Sequence, residues 1–172
     1  FYSSGKTNSV ILNFDKSLIS LLEWYQQLLS ESLGKKGKGF FPIISTVPKD
    51  HHSLLQLYID GPKDKLFYIF SLQEEKSEKI NLKKILNKRS FLDNKRLDKI
   101  KEAQKEALVL SLKKNKIPFR EFKINKVNEQ VLGKLFSYFI LETVLIGKMI
   151  NLDPFNQPAV EQVKIFTKKF LR

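Results

Sequence analysis

The sequence predicts an α/β sandwich built on a mostly parallel sheet of about four to five strands. Short runs rich in Val, Ile and Phe recur at 9–14, 40–47, 66–72 and 119–125, and helical stretches separate them. Neighbouring parallel strands need crossover connections, so strands alternating with helices point to this architecture. A chain of 172 residues, 42% hydrophobic and 28% charged, is long enough for one domain with its own core, here 1–172.

Residues 9–14 form an apolar run ending at Asp15, which can cap the helix that follows. Leu18, Leu21, Leu22, Tyr25, Leu28 and Leu29 give that helix one apolar stripe. Pro42 places the start of the strand 40–47 near a sheet edge or at the strand's entry, since proline cannot donate to a ladder. Asp50, after Pro48 and before Leu54, Leu57 and Tyr58, suits the N-cap of a two-turn helix carrying His51 and His52. Gly61-Pro62 ends it, glycine accepting a left-handed exit. The run 66–72 is apolar almost throughout, as expected of a strand covered on both faces.

Residues 73–90 read as loop with a short helix at 82–86. A long helix follows at 93–114, with Leu97, Ile100, Ala103, Ala107, Leu108 and Leu112 inward and a solvated Lys/Glu face. After a less buried strand at 119–125 comes a helix at 127–152, apolar on most sides. It contains Glu142, and a carboxylate in mid-bilayer is costly, so a buried helix is expected rather than a membrane span. The terminal helix 159–171 turns Val160, Val163, Phe166 and Phe170 inward.

Composition narrows the chemistry. There is no cysteine, and the two adjacent histidines lack a third ligand or a His-x-x-x-His spacing, so no metal is expected. The net charge of +13 is spread along the chain without a nucleic-acid-binding signature, so neither nucleic acid nor membrane is expected as a partner. A basic surface would instead steer an anionic small substrate. Residues 1–9 carry no secretory pattern, and a cytoplasmic location is expected. The chain begins at Phe1 with Met149 as its one methionine, so it is expected to be part of something longer.

Three segments carry the functional signal. Taken singly each is bland: Glu31 is a helix-end carboxylate, 34–39 lacks the P-loop spacing, and paired histidines often start a surface helix. Together, Glu31-Ser32-Leu33-Gly34-Lys35, then His52-Ser53-x-x-Gln56-Leu57-Tyr58-x-Asp60-Gly61-Pro62, then Phe155-Asn156-Gln157-Pro158-x-Val160-Glu161-x-x-Lys164 resemble the C-terminal half of phosphoglucose isomerase, in that family's order. The resemblance implies a three-layer αβα sandwich of the sugar-isomerase (SIS) type and interconversion of glucose 6-phosphate and fructose 6-phosphate through an enediolate. It implies no cofactor. Such a reaction needs a base for the C–H proton, stabilisation of the oxyanion, and help in opening the ring.

Carried over by motif, the base is Glu31, the ring-opening acid–base is His52, and the lysine near the ring oxygen is Lys164, with Gln157 contacting substrate. His51 stands where most bacterial relatives have glutamine, and is treated as a neighbour of the site. In the family the histidine serves the partner subunit, which implies a homodimer. Asn156 and Ala159 replace the aspartate and glycine of many relatives. The family's phosphate-binding loops and its Gly-Gly-Arg segment have no counterpart, so the N-terminal half is expected to be missing. The alternatives are a non-catalytic sugar-phosphate-binding or dimerisation module, and a basic nucleic-acid binder.

Overall fold

The structure, a computed structural model, describes residues 4–73, 77–81 and 91–171. Four strands form one all-parallel sheet in the order β2-β1-β3-β4: β1 (Asn8–Asn13), β2 (Phe41–Thr46), β3 (Lys65–Leu72) and β4 (Phe119–Ile124). Helices α1 (Ile19–Leu33), α2 (Lys49–Ser53), α3 (Leu55–Asp60), α4 (Leu97–Lys114), α5 (Glu129–Met149) and α6 (Pro158–Phe170) complete the chain. The expected short helix at 82–86 lies outside the described residues.

Strand alternation divides the core into two layers. Val10, Leu12, Phe67 and Ile69 face Tyr58 of α3 and Leu108, Val109 and Leu112 of α4. Ile11, Leu66, Tyr68 and Phe70 face Leu18 just before α1, Leu22, Tyr25, Leu29 and Leu33 along α1, and Phe139 of α5. This is the three-layer αβα sandwich. The two inner strands are covered on both faces, which explains why β3 reads as an unbroken apolar run. Pro42 sits on the edge strand β2, where its missing N–H costs nothing. Asp15 caps as expected, accepting from Ser17 N at 2.9 Å and Ser17 Oγ at 2.6 Å, though the capped piece is a 3₁₀ turn (Lys16–Leu18) leading into α1.

Several expectations are corrected. Asp50 lies inside α2 and is not its cap. Its buried carboxylate accepts from Ser45 Oγ (2.9 Å) and Thr46 N (2.8 Å), so it closes the end of β2. The single expected helix is broken into α2 and α3 at Leu54. Gly61 is extended (φ −72°, ψ −166°), not left-handed; glycine is needed because a Cβ would lie 2.4 Å from Leu57 O.

Helix α4 begins at Leu97, and only its C-terminal half packs inward: Leu97, Ala103 and Ala107 are exposed, and Val109 joins the core. Helix α5 buries Phe139, Thr143 and Gly147, while Leu141, Leu145 and Met149 are exposed, so it is an outer-layer helix with one packed face. Its length and composition would suffice to cross a bilayer. Its Glu142, however, pairs with Arg120 of β4 at 2.5 Å and accepts from Tyr25 Oη of α1 at 3.3 Å, fastening α5 to the sheet and to α1. Burial opposes the Arg120 charge, but the bond to Glu142 together with the fields of Tyr68, Glu142 and Tyr138 outweighs it and raises the guanidinium pKa. The expected inner face of α6 is exposed: Val160, Val163, Phe166 and Phe170 all face outward.

Candidate active site

Parallel topology sorts the motif residues onto two edges of the sheet. Each strand starts at one edge, and the helix after it runs back, so the C-terminal ends of α1 and α5 lie at the edge where strands begin. Glu31 occupies the last turn of α1, ahead of the loop 34–39 that leads into β2. Gly34 is required there by close approach, since a Cβ would lie 2.6 Å from Ser30 O. Lys35 Nζ donates to Asp153 O (2.6 Å) and Lys38 Nζ to Ile150 O (2.8 Å), tying this loop to the segment between α5 and α6.

That tether brings Gln157 to Glu31. Gln157 Nε2 donates to Glu31 Oε2 at 2.6 Å, and Gln27 Nε2, one helical turn back, donates to Oε1 at 2.9 Å. Both carboxylate oxygens thus have an amide partner, and each keeps acceptor capacity toward solvent. Gln27 is absent from the motif-based set. Its i, i+4 spacing to Glu31 is the sequence signal that could have found it. Asn156, the departure from the family pattern, donates to Asp153 Oδ2 at 2.8 Å and orders the same loop.

Lys164 is placed less favourably. It lies on exposed α6 and pairs with Glu161 at 2.7 Å, one turn away, not with Glu31. His52 is at the other edge of the sheet. It follows the C-terminal end of β2, and six strand residues at ~3.3 Å each separate that end from the Glu31 edge, roughly 15–20 Å. His52 is exposed, whereas His51 is half-buried and packs edge-on against Phe14 just past β1 (5.8 Å, 74°). Burial lowers the His51 pKa, with Asp50 working in the opposite sense.

A cleft of about 820 Å³ opens at the C-terminal ends of β3 and β4, lined by Phe14, Ser71 and Asn125 and by α4. The direction in which successive strands are added reverses between β1 and β3, and open α/β sheets usually bind ligands beside such a point. Yet it contains none of Glu31, His52, Gln157 or Lys164, and its charges largely pair among themselves, Arg96 with Asp98 and Lys99 with Glu102. The motif chemistry lies elsewhere. Among the described residues no His/Cys/Asp/Glu group has the makings of a metal site.

Comparison with known proteins points the same way as the motifs. No family model matches the chain. The glucose-6-phosphate isomerase of Methanocaldococcus jannaschii is 37% identical over 93% of this chain, covering 39% of that protein. The Leptospira biflexa glucose-6-phosphate isomerase is 30% identical over 95% of the chain and 37% of its own length. A hypothetical protein of Thermus thermophilus superposes with a TM-score of 0.83 at 26% identity, over 96% of this chain and 41% of the other. A glucose-6-phosphate isomerase of Chlamydia trachomatis shares the fold at a TM-score of 0.75 and 15% identity, over 97% and 35%. The resemblance to phosphoglucose isomerase, the same enzyme under another name, thus holds along nearly the whole chain. The chain spans about two fifths of the length of these relatives.

Proposed function

We propose that this chain is the C-terminal sugar-isomerase domain of a glucose-6-phosphate isomerase, and that it supplies part of a site interconverting glucose 6-phosphate and fructose 6-phosphate. The observation that carries this reading is the meeting of Glu31 and Gln157, residues 126 positions apart that come from two different family-like motifs. Glu31 is the base that moves the proton between C1 and C2. Gln27 and Gln157 hold its two oxygens in a fixed plane, and a remaining lone pair on either oxygen receives the C–H proton. Gln157, at the mouth of the same site, also contacts substrate.

His52 opens the sugar ring, and its place at the opposite sheet edge supports service to a second copy of the chain. Lys164 lies near the ring oxygen once substrate competes with its exposed Glu161 partner. The arginine facing the enediolate and the phosphate-binding loops come from the part of the enzyme that this chain does not span. The charge of +13 steers the anionic sugar phosphate toward the site.

The test is solvent exchange of the substrate C2 proton in the full-length parent. Glu31→Gln keeps shape and loses the base, so kcat should fall by about 10²-fold or more with KM little changed. Exchange at the parental rate would remove Glu31 from the mechanism. A non-catalytic sugar-phosphate-binding module is the second reading, favoured by the Lys164–Glu161 pair standing apart from Glu31. It predicts binding with no exchange in the parent.

A further inference from the structure

We propose that His51 is a positioning residue: its ring, seated against Phe14, anchors α2 and so fixes where His52 points. The inference rests on the ring-opening role given to His52. Five residues make too short a helix to hold its own orientation. Side chains must therefore set the direction of α2, and two do so. The Asp50 carboxylate binds Ser45 and Thr46 at the end of β2. The His51 ring meets Phe14 edge-on at the end of β1. Its Nε2 is buried and has no hydrogen-bond partner.

That last feature separates this ring from an ordinary solvated histidine. A buried imidazole without a partner at Nε2 is tolerable neutral and costly as a cation. The charged group acting on it from its own helix is Asp50; from β1 it meets the apolar Phe14. Lys105, Glu106 and Lys113 of α4 line the cleft that Phe14 shares. Because burial lowers the His51 pKa, its stabilising contribution is complete above the free-histidine value of about 6.5 and declines as pH falls below it. Neighbouring positions on a helix point about 100° apart, so any swing that unseats His51 redirects His52 with it.

Two substrates separate positioning from general damage. In the full-length parent, turnover is measured with glucose 6-phosphate and with an acyclic analogue lacking the ring-closing hydroxyls at C4 and C5. His51→Ala should slow the cyclic substrate about tenfold or more and leave the acyclic one within about twofold. His51→Phe, which refills the seat without a titratable nitrogen, should keep the cyclic rate and flatten its decline on the acid side. Equal slowing of both substrates by a folded His51→Ala, or slowing of neither, overturns the proposal. The anchor is also read without activity, from the His52 ring resonances in the 172-residue chain. If His51→Ala leaves them unmoved, His51 does not hold His52. If they move while Glu31→Gln leaves proton exchange intact, the isomerase reading fails and the anchor stands.

Discussion

Glu31 and His52 lie at opposite edges of one sheet, and this makes a quantitative prediction for mixed dimers. With roughly 15–20 Å of strand between them, the two cannot act on one sugar within a chain. In a twofold dimer each site would then combine Glu31 of one copy with His52 of the other. Glu31→Gln and His52→Ala should each inactivate the full-length parent. When the two inactive proteins are dissociated, mixed in equal amounts and reassociated, about half the dimers are mixed. Each mixed dimer has one site with both defects and one with neither. About a quarter of all sites should therefore be restored, giving about a quarter of parental turnover. The assay is turnover of fructose 6-phosphate alongside native mass spectrometry that counts the mixed dimers. A verified mixed population with no recovery would refute the shared site, and recovery without mixing would refute its geometry.

Other outcomes follow from individual contacts. Gln27→Ala frees one oxygen of Glu31 and should lower kcat about tenfold or more with KM little changed; unchanged kcat would make the contact incidental. The isolated 172-residue chain should fold, and should show little or no isomerase activity because it spans only about two fifths of the length of its relatives; turnover at an ordinary enzyme rate would contradict this. Leu22→Ala, at a fully buried position beneath the sheet, should cost about 2–5 kcal/mol in urea unfolding. Asp50→Ala removes the acceptor of Ser45 Oγ and Thr46 N and should cost about 2 kcal/mol or more; a loss near zero would mean that the end of β2 is held otherwise.

Residue type and spacing by themselves determined the parts whose physics is local. Short apolar runs located the four strands and period-3.6 apolar patterns the long helices, because both follow from backbone geometry and local burial. Pro42 on an edge strand and Asp15 as a cap were legible because the missing N–H and the capping oxygen act within a few residues. Glu31, His52, Gln157 and Lys164 were legible as motif members, whereas their grouping was not. Only the folding of loop 34–39 onto 150–157 puts Gln157 against Glu31, and only the parallel topology sends His52 to the far edge. Asp50 looked like a cap because it stands where caps stand, yet its partners are on β2, reached through a turn that no spacing rule encodes. The outward faces of α5 and α6 show the same limit: periodicity reports that a face is apolar, but which neighbour covers it depends on where the helix docks.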